Sequence, residues 1–76
     1  MLFTPSQCRA AGALLDLDQA ILAEAATVSR NVIVDFEMGP RTPGRNNLAA
    51  IKRALEDAGV EFTNGDAPGV RLRKQA

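Results

Sequence analysis

Ser29, Arg30 and Asn31 follow one another in "ATVSRNVIV", and the last two carry side chains suited to reading planar hydrogen-bonding edges. An arginine fork bonds guanine O6 and N7 together, and an asparagine amide bonds adenine N6 and N7. Each good pair is worth about 1–3 kcal/mol of discrimination against a wrong base. If these residues open a helix, its free N–H groups and dipole add an attraction for phosphate. Asp35, further along the same stretch, repels phosphate unless it accepts from a cytosine N4 amino group. On their own, however, an arginine and an asparagine at a helix start are solvated residues in most proteins, so the elements that hold them must carry the reading.

The stretch "VSRNVIVDFEMG" is ambiguous by itself. Val32, Ile33 and Val34 are β-branched, and the alternation of Val32, Val34 and Phe36 with Ile33, Asp35 and Glu37 reads as a short strand. Yet Val28, Val32, Ile33 and Phe36 also share one helical face, Ser29 is a good N-cap, Gly39 suits a helix C-terminus and Pro40 prevents continuation. The sequence therefore predicts a helix over Arg30–Met38, with Val34 partly exposed.

Its neighbours support that choice. Thr4 and Pro5 mark a helix start, and Cys8, Ala11, Leu14 and Leu15 form an apolar stripe, which predicts a helix over Pro5–Leu15 with Gly12 inside it. Asp18 caps a second, shorter helix whose Ile21, Leu22 and Ala25 are expected to face inward. Two short helices about three residues apart have the spacing of a helix-turn-helix. A fourth helix follows in "RNNLAAIKRALEDAG", where Leu48, Ile51, Ala54, Leu55 and Ala58 keep the 3.6-residue period and Gly59 ends it. The tail switches to period two around "NGDAPG", which reads as a β-hairpin whose strands must pack on the helices or pair with another chain. The expected architecture is all-α: four helices over residues 1–59, then a hairpin tail over residues 60–76 that is a possible dimerisation element.

Composition narrows the chemistry. The chain has 76 residues with balanced formal charge, so a nucleic-acid surface must arise from local charge. Between Ser29 and Arg45 there are three arginines against two acids, whereas up to Val28 there is one arginine against three acids. There is no histidine and one cysteine, Cys8, which is expected to act as a small buried hydrophobe. A zinc-type metal site is thereby effectively excluded. No nucleophile has a base beside it, and "GPRTPG" has the wrong glycine spacing for a phosphate cradle. No enzyme, cofactor, metal or small-molecule substrate is expected. With no signal-like start and no run of transmembrane length, a cytoplasmic protein without membrane contact is expected.

From Leu17 to Leu55 the chain resembles the lambda-repressor-like (Cro/repressor, Xre-type) helix-turn-helix regulators, in their short bacterial form. The likeness is carried by Gln19, Leu22-Ala23, Val28-Ser29, Ile33, Phe36-Glu37, Gly39, Pro43 and Leu48; the tail segments "GVEF" and "PGVRLR" extend it. The resemblance implies a recognition helix, Arg30–Met38, lying in the major groove of double-stranded DNA. It places Gln19 on phosphate or the first bases, Ser29, Arg30 and Asn31 at base edges, and Arg41 on the backbone. It implies a transcriptional regulator acting as a nucleoid-associated homodimer, with the C-terminal strands available to join the two copies. The chain departs from the family at Gly12, where a basic partner for Glu37 is usual, and at Thr27, where glycine is usual in the tight turn. Asp16 and Asp18 add acid close to the expected DNA face. Glu37 must then find another partner or sit at the surface. The rival reading uses the same scaffold for protein binding, as an anti-regulator or antitoxin-like chain, through Val34 and the acids of the second helix.

Overall fold

Thr4 accepts a hydrogen bond from the backbone N–H of Gln7, and the Gln7 side chain accepts in return from Thr4 N–H, closing a capping box that starts α1, Pro5–Leu15. α2 spans Gln19–Ala26 behind an Asp18 cap, and α3 spans Arg30–Met38 behind a Ser29 cap. α4 runs from Arg45 to Asp57, and β1 (Val60–Thr63) pairs antiparallel with β2 (Gly69–Leu72), Glu61 opposite Arg71 and Phe62 opposite Val70. This computed structural model describes residues 3–64 and 67–73.

Within residues 28–39, Arg30–Met38 fold as helix, and burial decides it. Ile33 and Phe36 are 0% and 1% exposed, which places one face of α3 in the core. Gly39, at φ 96°, ends the helix in a left-handed turn that glycine adopts without strain. Val34 is half-buried, as expected. Tertiary packing has overridden the local β-propensity of the valines.

The core joins Cys8 and Ala11 of α1, Leu22 of α2, Ile33 and Phe36 of α3, Ile51 and Leu55 of α4 and Val60 of β1. Phe3, ahead of α1, packs tilted against Phe36 at 5.6 Å and edge-to-face against Phe62 at 4.9 Å between ring centroids, fastening the hairpin to the helices. Four inward assignments from sequence are corrected. Leu14 is 44% exposed, because the buried stripe of α1 runs through Gln7, Cys8 and Ala11. Ile21 is 53% exposed and Ala25 is also exposed, because α2 turns Leu22, Ala23 and Ala26 inward instead. Ala58 is exposed as the cap residue of α4. In the tail, Gly69 is not part of the turn but the first residue of β2; Gly65 and Asp66 of the expected turn, and the last three residues of the tail, lie outside the described residues. No helix among the described residues is long and apolar enough to cross a membrane.

Candidate nucleic-acid interface

With Ile33 and Phe36 fixed in the core, the helical period sends Arg30 and Asn31 outward, and both are exposed. Neither has a side-chain partner among the described residues, so both keep their full donor capacity. Ser29 is exposed too, but its hydroxyl accepts from Val32 N–H at 3.3 Å, so it serves first as the cap of α3. The turn that aims this helix start is tight. Val28 N–H donates to Ala23 and Thr27 N–H to Glu24, with Thr27 at φ 59°, ψ 45°. That left-handed conformation costs an L-residue roughly 1–2 kcal/mol, so the departure from glycine at Thr27 is a real strain in this turn.

The chain leaving α3 folds back along it. The Asp35 carbonyl accepts from Gly39 N–H at 3.1 Å and Arg41 N–H at 3.5 Å. Arg41 and Asp35 thus line a small cleft of about 150 Å3 with Val32, Thr42 and Pro43. Beyond it, Gly44 is the N-cap of α4 and offers no side-chain cap, and the first residues of the helix, Arg45, Asn46 and Asn47, are exposed. The helical period gives this helix from sequence, but Arg45, Asn46 and Asn47 are not among the contacts expected from it. The signal was present in "PGRNN", a loop glycine followed at once by a cation and two amides.

Gln19 lies elsewhere. It is the half-buried first residue of α2, and its Nε2 donates to Glu37 Oε1 at 2.8 Å, beside the last turn of α3. Arg30 and Glu37 are separated by about 10 Å of helix rise at 1.5 Å per residue. The six residues expected to act together therefore fall into two groups, Ser29–Asn31 with Arg41 and Asp35 along α3, and Gln19 with Glu37 at its far end. One N–H of Gln19 is committed to Glu37, and only the other remains for a phosphate.

Glu37 did find other partners, and it is buried, 8% exposed. Its second oxygen accepts from the Cys8 thiol at 3.1 Å, and Arg9 donates to its backbone carbonyl. Arg9 thus brings a cation to this point from one turn before Gly12. Cys8 is buried as expected, but it is also a hydrogen-bond donor. Burial, then the bond to Glu37 and the charge of Glu37, push the Cys8 thiol well above its ordinary range, against a smaller opposing effect of Arg9. A cleft of about 510 Å3 opens over the group, with Asp16 and Asp18 on its rim. Among the described residues no cluster of three or more histidine, cysteine, aspartate or glutamate side chains is placed to hold a metal ion.

No protein-family model matches this chain, and no curated protein matches it significantly.

Proposed function

We propose that the protein is a small sequence-specific regulator that binds double-stranded DNA as a homodimer, with a lambda-repressor-like arrangement of its four helices and α3 in the major groove. One observation carries this reading. The face of α3 bearing Ile33 and Phe36 is fully buried, while Arg30 and Asn31 at its start are exposed and unpartnered among the described residues. This is what a helix needs if its N-terminal side chains are to reach base edges. Arg41 and the uncapped start of α4 add backbone-contacting groups close to α3. With a formal charge of zero, one copy binds DNA weakly, and two copies on half-sites about one helical turn apart supply the rest. Such a regulator works in the cytoplasm, on the nucleoid.

The test is selection from a randomised duplex pool, followed by anisotropy on the enriched site with the parent protein, Arg30→Ala and Asn31→Ala. Enrichment of a two-fold symmetric site is expected, with each variant losing about 1–3 kcal/mol on it and relaxing preference at one base pair. Sequence-independent binding that neither variant alters ends direct readout by α3.

A second reading, a scaffold for protein binding, is favoured by one feature: Ile21 and Ala25 are exposed on α2, and Ile21 is a large aliphatic side chain half in solvent. A salt-insensitive protein complex disrupted by Ile21→Asp, together with no shift of duplex DNA, supports that reading over the first.

A further inference from the structure

We propose that the outer edge of β2, together with α1, forms a groove that captures an extended acidic peptide as a third strand of the sheet. The inference does not depend on the DNA reading, since it concerns a different face of the molecule.

The sheet has two strands among the described residues, and no described strand lies on the outer side of β2. The ladder fixes which backbone groups point there. Arg73 N–H donates to Gly59 carbonyl at 2.8 Å, which makes Gly59 and Arg73 a hydrogen-bonded pair. By the two-residue alternation of an antiparallel ladder, Glu61–Arg71 is bonded in the same way, while Phe62–Val70 and Val60–Leu72 are non-bonded pairs. The N–H and C=O groups of Val70 and Leu72 therefore point outward from the sheet. No other partner holds them among the described residues. Alongside runs a cleft of about 490 Å3 walled by Ser6, Gln7 and Ala10 of α1 and by Pro68, Gly69 and Val70. An edge strand facing a helix across an uncharged groove is the arrangement that receives an added strand in β-augmentation.

Charge chooses the occupant. Arg71 projects from the face opposite Val70 and Leu72, with its side chain 69% exposed, and its bond to Glu61 uses Nε alone. Arg73 follows two residues later on the same side and is exposed; one guanidinium N–H donates to the Glu56 carbonyl at 2.7 Å, and its charge is not paired with a carboxylate among the described residues. An incoming strand bonded to Val70 and Leu72 has one residue directly opposite Arg71, and a carboxylate there is favoured. Its neighbours turn toward the groove and Leu72, which is 51% exposed, and so are apolar. A second copy is the poorer fit. Pairing of β2 with itself in the register that bonds Val70 of one copy to Leu72 of the other centres the two-fold axis on Arg71. That sets Arg71 against its own mate with Cα atoms about 4.5 Å apart in a non-bonded pair, and like charges directly opposite are destabilising.

The probe is a short fluorescein-labelled peptide alternating valine and glutamate. It is compared with a valine–lysine peptide and with a copy N-methylated on the amides that would bond to β2. Anisotropy is expected to show saturable binding of the first and at least tenfold weaker binding of the other two. Amide exchange of Val70 and Leu72 is expected to slow in the complex. The double variant Glu61→Arg/Arg71→Glu keeps the cross-strand ion pair with its sign reversed at the edge; it is expected to prefer the lysine peptide. The proposal is overturned by absence of binding at millimolar peptide, by binding that ignores N-methylation, or by a dimer of the protein that the peptide dissociates.

Discussion

Glu37 and Gln19 join the last turn of α3 to the first residue of α2 through a 2.8 Å hydrogen bond, and Cys8 of α1 completes the contact from the other carboxylate oxygen. Three helices thus converge on one buried acid. Truncation in Glu37→Ala leaves the thiol without an acceptor and opens a small void, at an expected cost of about 1–3 kcal/mol. The Gln19 amide, half-buried at a cleft, recovers water and limits the loss. Urea midpoints for Glu37→Ala, Gln19→Ala and the double variant should give a coupling of at least about 0.5 kcal/mol. Strict additivity would mean that the bond contributes nothing to stability.

The Cys8 thiol, pushed up by burial and by Glu37, ties stability to alkaline pH. Below roughly pH 8.5, the ordinary thiol value, Cys8 is protonated in both folded and unfolded chains and its contribution is complete. Above that pH the unfolded chain releases a proton that the folded one keeps. Stability then falls as pH rises, with a slope approaching about 1.4 kcal/mol per unit. Cys8→Ser keeps an O–H donor that does not titrate here. Urea unfolding of both proteins between pH 7 and about 9.5 should show the parent losing ground to Cys8→Ser only in the upper part of the range. Parallel curves would contradict the buried-thiol account.

The elements were legible because their ends are written in local chemistry. Thr4-Pro5, Asp18, Ser29 and Gly39 mark helix limits that the structure places at the same residues. Facing was less legible where a helix is apolar nearly all round. In "QAILAEAA" the choice between Ile21 and Ala23 as the inward residue depends on how α4 lies against α2, which no single-helix pattern encodes. Of the candidate site, the exposure of Arg30 and Asn31 was readable, because it follows from the helical period. The place of Gln19 was not, because its commitment to Glu37 arises only when the start of α2 meets the end of α3. Gln7 is the same case on a larger scale, with partners 56 and 62 residues away.

Thr27 holds a left-handed conformation at φ 59°, where its branched Cβ is crowded. Thr27→Gly removes that strain, partly offset by the greater freedom of glycine in the unfolded chain. A net gain of about 1 kcal/mol is expected, equivalent to roughly 4–8 °C in Tm for a domain of this size. Circular-dichroism melts decide the point. A variant that melts below the parent would show that the Thr27 side chain contributes more than its backbone strain costs.

Gln7, 3% exposed, holds the hairpin on α1. Its Oε1 accepts from Thr4 N–H, and its Nε2 donates to the carbonyls of Thr63 at 3.2 Å and Gly69 at 3.0 Å. Gln7→Glu preserves shape and the capping acceptor but turns the donor end into an oxygen facing two carbonyls. An ionised carboxylate there is disfavoured, so its pKa must rise in the folded protein. The variant is expected to lose about 2–4 kcal/mol at neutral pH. It should recover part of this below the ordinary glutamate value near pH 4.3, where the acid is protonated in both states and its O–H can donate to one carbonyl. Gln7→Ala, which loses the bonds without adding charge, should cost about 1–3 kcal/mol with no such pH dependence. Melts of the two variants at neutral and acidic pH, each referenced to the parent protein at the same pH, separate the effects. Amide exchange at Thr63 and Gly69 reports whether the hairpin loosens first. If Gln7→Glu matches the parent at neutral pH, the hairpin is held by the Phe3–Phe62 contact and core packing alone.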